Sequence, residues 1–143
     1  MGLGRRALSL IAFIADDERV QAALPQSIIG NENLLQLHAM EELRADPLAC
    51  SAVSILCRTS SWVNTRCLVR SIQVLGEALT DVHLHTLLFA MDARPCHTAL
   101  PVIQEIARQG LHAVFIPASM TGCLQLLDTH DRAVYKRSLN RET

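Results

Sequence analysis

The stretch that decides the fold of this chain is LHTLLFAMDARPCHTALPVIQEIARQGLHAVFIPASMTGCLQLLDTHDRAVYK, Leu84–Lys136. An apolar run, Thr86–Met91, predicts a buried strand that ends at Asp92. An amphipathic helix follows, and Leu111–Ile116 predicts the next strand. Two strands and a crossover helix of these lengths predict a right-handed parallel unit. Asp128 opens a last polar helix, so one carboxylate stands at a strand's end and another at a helix's start.

The crossover helix is predicted from its ends and its apolar spacing. Thr98 is a plausible N-cap for a helix through Gln109, and Pro101 falls in the first turn, where proline is tolerated. Gly110 follows as a C-terminal cap. The predicted buried stripe consists of Leu100, Ile103 and Ala107, widened by Val102 and Ile106.

The start of the chain predicts two short strands and a helical turn. Ala7–Ala15 (ALSLIAFIA) has the length and the Ile and Phe content of a strand that is buried on both faces. Asp16 is predicted to cap a short helical turn, which Pro25 stops. Ser27–Ile29 predicts a brief strand, and Gly30-Asn31 predicts a turn after it.

A third strand and the longest helix come next. Cys50–Cys57 is a β-like run, and Ser60 or Ser61 is predicted to cap a helix over Trp62–Leu79. Trp62 is expected to anchor the core rather than to offer a stacking platform for bases. The apolar positions of the helix recur every three or four residues and predict one buried stripe of Val63, Cys67, Leu68, Ile72, Leu75 and Leu79.

Length and composition set the broad class. The 143 residues, half of them hydrophobic, predict a single domain, and the strand–helix–strand pattern makes its class α/β. Because the net charge is −1, a role with nucleic acid would need a local basic face. The five cysteines form no C-x-x-C pair, so the sequence suggests neither a zinc site nor a disulfide framework. No apolar run reaches the ~20 residues of a membrane span, and the apolar N-terminal run fits a buried strand better than a signal peptide.

Asp92 and Asp128 are the candidate catalytic residues. Sites in open parallel sheets form beyond the C-terminal ends of the strands, which is where Asp92 is placed. Two carboxylates that converge there could hold a pair of Mg²⁺ or Mn²⁺ ions ~4 Å apart for phosphoryl transfer. The alternative is that Asp92 only caps a turn and Asp128 only caps a helix.

Several motifs share the order and spacing of one known family. MDARPCH (91–97) is a strand that ends in Asp and is followed by His, and VFIPA (114–118) is an apolar strand that leads to Pro. TGCLQLLD (121–128) is a Thr before a Leu-Gln-Pro-Leu-Asp-like box, with Leu126 in place of Pro, and Lys136 follows in the next helix. Thirty-five residues separate Asp92 and Asp128 (128 − 92 − 1). In these features Leu88–Leu139 resembles the C-terminal part of the DDE superfamily of transposases and endonucleases, in its pogo/jerky-like branch.

The resemblance implies an RNase H-like fold, with a mixed sheet flanked by helices, and metal-dependent cleavage and strand transfer of DNA in the nucleus. It implies that Asp92 and Asp128 are the second and third ligands of Mg²⁺ or Mn²⁺. Ile11–Asn31 is similar to the family's second strand and following loop, so the first strand and its acid are expected to be missing unless Asp16 or Asp17 substitutes. We therefore expect little or no nuclease activity, because a site short of one carboxylate holds the metal pair weakly.

Further candidate residues surround the two acids. His97 and His130 could hydrogen-bond to the carboxylates, and Arg132, Lys136 and Arg137 could contact the phosphate backbone. The alternative for His97 is that it only packs and hydrogen-bonds locally. The alternative for the three basic residues is that they form a solvated face of the last helix. For the whole chain, the alternative is a non-catalytic relic or interaction domain without a metal role. An unrelated α/β domain with a ligand crevice lacks support, because no glycine-rich phosphate loop is present.

Overall fold

A computed structural model of the chain describes residues 8–31, 41–42, 45, 53–59, 62–81 and 87–120. These residues form two small sheets and three helices, which confirms the predicted α/β class. The chain divides into two compact units, Met1–Leu84 and His85–Thr143. The single domain expected from the length of the chain stays a prediction. No helix in this described part is both long and apolar enough to cross a membrane.

The first unit contains a three-stranded sheet in the order β1-β2-β3. β1 (Leu8–Ile11) runs antiparallel to β2 (Gln26–Asn31), and β3 (Val53–Arg58) runs parallel to β2 on its other side. β2 is therefore the central strand of a mixed sheet. Its Ile29 is fully buried, as expected for an apolar side chain on a central strand.

Two sequence predictions for this sheet are wrong. Ala7–Ala15 predicts a strand buried on both faces, but β1 is four residues long, and Leu8 and Leu10 are more than two-fifths exposed. β1 lies at one end of the strand order, so it has one neighbouring strand among the described residues. Gly30-Asn31 predicts a turn, but both residues pair in register with β3, which carries the strand through them.

The first helix, α1 (Glu18–Ala23), begins one residue later than its predicted cap implies. Its N-cap is Asp17, not Asp16. Asp17 Oδ1 accepts hydrogen bonds from the backbone N–H groups of Arg19 at 2.9 Å and Val20 at 3.1 Å. The helix ends two residues before Pro25, in agreement with the predicted stop.

The longest helix, α2 (Thr65–Ala78), also begins later than predicted. Its N-cap is Asn64, whose Oδ1 accepts the backbone N–H three residues on at 3.0 Å, so the predicted Ser60 or Ser61 cap is wrong. The expectation that Trp62 anchors the core is wrong too, because Trp62 is 70% exposed. The predicted stripe is confirmed, with Val63 half-buried and the remaining five members buried, namely Cys67, Leu68, Ile72, Leu75 and Leu79.

The second unit is a parallel strand–helix–strand unit, as predicted. β4 (Leu88–Asp92) leads through α3 (Leu100–Arg108) to β5 (His112–Ile116), and the two strands pair in parallel along their whole length. The strands are less buried than their apolar sequences predict, with Leu88 73% exposed and Val114 44% exposed.

Helix α3 buries only part of the predicted stripe. Val102 and Ile106 are buried as predicted, whereas Leu100, Ile103 and Ala107 are exposed. The N-cap is Ala99 rather than Thr98, and it makes no side-chain hydrogen bond. This end of the helix therefore has no polar side-chain cap.

A glutamate shares the buried face of α3. Glu105 is 8% exposed, and its Oε1 lies 2.6 Å from both Arg108 Nη2 and Gln109 Nε2. Arg108 Nε donates to Glu105 Oε2 at 3.1 Å. A buried carboxylate needs such partners to compensate for lost hydration. Hydrophobic periodicity does not reveal a charged residue that is satisfied in this way.

The end of α3 is confirmed at Gly110. Its φ is 73°, in the left-handed region. The Gly110 N–H donates to the carbonyl of Ala107 at 3.0 Å, and the Leu111 N–H donates to that of Ile106 at 3.1 Å. This is a Schellman motif, in which glycine supplies the backbone conformation that ends the helix.

Candidate functional site

Asp92 is the last residue of β4, and it is buried, with 6% of its surface exposed. It stands opposite Ile116, the last residue of β5. The Ala93 N–H donates to the Ile116 carbonyl at 2.9 Å and continues the pairing one step further. The predicted placement of Asp92 at the C-terminal end of a parallel strand is therefore confirmed. This is the edge of a parallel sheet at which ligands usually bind.

Two nitrogen-bearing side chains meet the Asp92 carboxylate. Arg94 Nε lies 2.6 Å from Asp92 Oδ2, and His97 Nδ1 lies 2.5 Å from Asp92 Oδ1. Each carboxylate oxygen thus has its own partner. The Arg94 side chain is 65% exposed and that of His97 is 20% exposed. The histidine is held within the protein, whereas the guanidinium lies against solvent.

The turn after β4 brings these side chains back to the carboxylate. The Arg94 N–H donates to the Asp92 carbonyl at 2.9 Å, and the N–H groups of His97 and Thr98 donate to the Arg94 carbonyl at 2.9 and 3.0 Å. The Thr98 hydroxyl donates to the same carbonyl at 3.2 Å. This use of Thr98 explains why it closes the turn instead of capping α3.

His97 is oriented by two acceptors of the same residue. Its Nδ1 lies 2.9 Å from the Asp92 carbonyl oxygen as well as 2.5 Å from the carboxylate. Because both neighbours accept hydrogen bonds, we assign the proton to Nδ1. Nε2 is then the ring atom that can meet a further partner. His97 is predicted to orient a carboxylate, and its contact with Asp92 is one that such a role requires. The role itself stays a prediction.

The chemistry of Asp92 fits one ligand of a Mg²⁺ or Mn²⁺ site. Carboxylate oxygens are preferred by both ions, but each oxygen of Asp92 already has a partner. A metal ion would have to replace Arg94, whose exposed side chain can turn to solvent. Within the described ranges, no three His, Cys, Asp or Glu side chains are grouped closely enough to hold an ion. Any further ligands would have to come from other parts of the chain.

The remaining predicted site residues lie outside the described residues, namely Asp128, His130, Arg132, Lys136 and Arg137. Convergence of the Asp92 and Asp128 carboxylates to within ~4–7 Å of each other therefore stays a prediction. Arg94 is a contact that sequence reasoning misses. A cation two residues after a strand-ending carboxylate is the signal that could have indicated it.

The described geometry is a buried carboxylate, held by a histidine and an arginine, at the end of a parallel strand pair. Such a carboxylate can bind a cation in place of the arginine, or it can fix the turn through the pairs that it already makes. These possibilities differ in whether Arg94 moves away from the Asp92 carboxylate.

Comparison with protein-family models, curated proteins and solved structures finds no match to this chain.

Proposed function

We propose that this chain is a transposon-derived DDE-type domain of the RNase H-like fold that binds DNA in the nucleus. It retains part of an ancestral metal-dependent endonuclease and strand-transfer site. The observation that carries the proposal is the burial of Asp92 at the C-terminal end of β4. The motifs that resemble the DDE superfamily predict a metal-binding carboxylate at this residue.

The parallel pairing of β4 and β5 adds support. It puts Ile116, the last residue of β5, beside Asp92. Asp128 follows only twelve positions later (128 − 116). A chain of that length can reach back to its starting point, so the second carboxylate is within range of the first.

Four residues would have distinct roles in the proposed site. Asp92 and Asp128 would hold Mg²⁺ or Mn²⁺, which supplies positive charge for the attacking and leaving oxygens of a phosphodiester. His97 would keep the Asp92 carboxylate in place through Nδ1. Arg94 would neutralise that carboxylate in the metal-free protein, and its guanidinium could then turn to a DNA phosphate. Further backbone contacts would come from Arg132, Lys136 and Arg137.

Thermal unfolding with and without Mn²⁺ tests the metal role of Asp92. We expect Mn²⁺ to raise the melting temperature, since a ligand that binds only the folded state stabilises it by about 2.7 kcal/mol at 100 times its Kd. Asp92→Asn should abolish this shift. Asp17→Asn, which removes the same charge but keeps an N-capping side chain, should retain it. Arg94→Ala should enlarge the shift, because it removes the competing cation.

A nicking assay on supercoiled DNA tests whether catalysis remains. We expect little or no Mn²⁺-dependent nicking, because Arg94 and His97 already engage both oxygens of Asp92 and so compete with a metal ion for them. Nicking that Asp92→Asn loses and Asp17→Asn keeps would show that the site is active. The expectation of an impaired site would then be wrong, whereas the DDE assignment would gain support.

The same carboxylate also favours a second candidate function, a non-catalytic relic or interaction domain without a metal role. Because Arg94 and His97 engage both oxygens of Asp92, these pairs stabilise the turn between β4 and α3 without any ion. In this case Mn²⁺ shifts no melting temperature. Asp92→Asn and Arg94→Ala would each lower it in the absence of metal. The response of Arg94→Ala to Mn²⁺ therefore separates the two candidates.

A further inference from the structure

The first unit exposes a large aromatic side chain. Trp62 is 70% exposed, although tryptophan is usually mostly buried in folded proteins. It stands two residues before Asn64, the N-cap of α2. Exposed tryptophan is typical of binding surfaces, because its rigid ring gives a large contact area. Trp62 is also the only tryptophan in the sequence.

Two arginines lie on the exposed side of the first turns of α2. Arg66 and Arg70 are both exposed and are four residues apart, so their side chains are neighbours on one helix face. Arg66 forms no ion pair with any described residue. Arg70 contacts Gln73 at 3.3 Å and Glu77 at 3.7 Å, in exposed pairs that a stronger anion can replace.

The tryptophan and the arginines are close along the chain. Trp62 and Arg66 each stand two residues from Asn64, so their Cα atoms lie within about 8 Å of its Cα. The helix then places Arg70 about one turn beyond Arg66. We call these three residues the Trp62 surface.

The surface belongs to a basic part of a nearly neutral chain. Between Asp46 and Glu77 the sequence has three arginines, Arg58, Arg66 and Arg70, and no carboxylate. The whole chain has a net charge of −1. This stretch therefore carries local positive charge, of which Arg66 and Arg70 are exposed, as binding to a polyanion requires.

We infer that the Trp62 surface binds single-stranded nucleic acid, with the indole of Trp62 stacked on a base and the guanidinium groups of Arg66 and Arg70 on neighbouring phosphates. Aromatic platforms beside basic groups bind single strands in this way with little sequence preference. The two arginines outnumber Glu77, the carboxylate that contacts Arg70, and this excess of positive charge favours a polyanion as the ligand. The inference uses neither Asp92 nor a metal ion and shares with the proposed function only the class of ligand.

Intrinsic fluorescence provides the test, because all tryptophan emission comes from Trp62. The wild-type chain is titrated with oligo-dT and with oligo-U in EDTA, which excludes any metal-dependent binding. We expect quenching by both strands, or by only one if the 2′-hydroxyl matters. The logarithm of the binding constant should fall with the logarithm of salt concentration with a slope of about −1.4, as for two phosphate contacts.

Variants are compared by the anisotropy of a labelled oligonucleotide. Trp62→Ala should weaken binding about 5- to 150-fold, the range for loss of one stacked base. Arg66→Ala should weaken it and lower the salt slope, whereas Arg66→Lys should keep most of the slope. Arg19→Ala is the matched control, because Arg19 is an exposed arginine on another helix, α1. It should leave binding unchanged.

Absence of quenching by both strands would overturn the inference. Equal losses in Arg19→Ala and Arg66→Ala would also overturn it, because they would indicate an effect of net charge alone. Quenching by an acidic peptide but by neither strand would assign the Trp62 surface to a protein partner instead. None of these results depends on Mn²⁺, so they are distinct from failure of the metal site at Asp92.

Discussion

Asp17 links the stability of one helix end to pH. Its Oδ1 accepts the backbone N–H groups of Val20 and Arg19, and these bonds hold the pKa of Asp17 below its ordinary value of 3.8. The folded state therefore favours the ionised carboxylate more than the unfolded state does. The resulting stabilisation is present above pH 3.8 and is lost as the pH falls through the lowered pKa.

We predict that Asp17→Ala lowers the free energy of unfolding at neutral pH, because α1 loses its N-cap. The difference from wild type should shrink as the pH falls from 3.8 through the lowered pKa of Asp17, where the folded wild-type carboxylate becomes protonated. Urea unfolding of both proteins at neutral and acidic pH measures this. Asp16→Ala is the control and should change stability little at either pH. A difference between Asp17→Ala and wild type that does not depend on pH would contradict the prediction.

Sequence reasoning at the scale of residues identifies Asp92 and its neighbour His97 but misses Arg94. The motif gives the order of residues along the chain. The ion pair between Arg94 and Asp92 depends on the turn after β4, which brings Arg94 back to the carboxylate. The cap of α1 shows the same limit. Asp16 and Asp17 have the same side chain, so residue type cannot decide which of them is the cap. Asp17 is the cap because its extended backbone directly precedes the helix.

At the scale of elements, the end of α3 provides a prediction. Gly110→Ala should destabilise the protein by about 1–2 kcal/mol, because a Cβ is unfavourable in the left-handed region. Gly110→Asn should cost less, since asparagine tolerates this conformation better. Denaturant unfolding measures both values. An alanine variant as stable as wild type, or one more stable than the asparagine variant, would show that the positive φ is not required.

The positions of the elements could be predicted more closely than their exposure. The apolar run that includes Leu88 predicts a strand, and β4 is found there. The exposure of Leu88 depends on which elements cover the strand, and the apolar run does not show this. In α3 the predicted stripe is wider than the buried face, because Val102 and Ile106 are buried but Leu100 and Ile103 are exposed. Periodicity cannot determine how much of a wide apolar stripe is covered, because that depends on the packing partner.

At the scale of the whole molecule, each unit contains buried apolar side chains. Ile72 of α2 and Ile106 of α3 are essentially inaccessible to solvent. We predict that Ile106→Ala lowers the free energy of unfolding by about 2–5 kcal/mol, as for large-to-small changes in a core. Ile103→Ala, on the exposed side of the same helix, should cost far less. Similar losses in the two variants would mean that α3 packs on a different face.

The same variants test the prediction that the chain is a single domain. If the chain is one cooperative domain, Ile72→Ala and Ile106→Ala should each shift one common unfolding transition. Two transitions, each moved by only one variant, would show that the compact units unfold independently.

The α/β class and the parallel β4–α3–β5 unit could be predicted, but the parallel pairing of β2 with β3 could not. Those strands pair across 27 positions (Gln26 to Val53), and no local pattern records such a partner.

The strand pairings also have a consequence for how fast the chain folds. The closest partners, Ile11 and Ser27, are 16 positions apart, and Leu88 and His112 are 24 apart, so no described pair of strands is a tight hairpin. High contact order slows folding, because loop-closure entropy is lost before the pairing compensates for it. α2 and α3, which need only local contacts, should form before either sheet closes. Until then the unpaired strand edges are open to other chains, so a newly made copy is most exposed to aggregation before its sheets form.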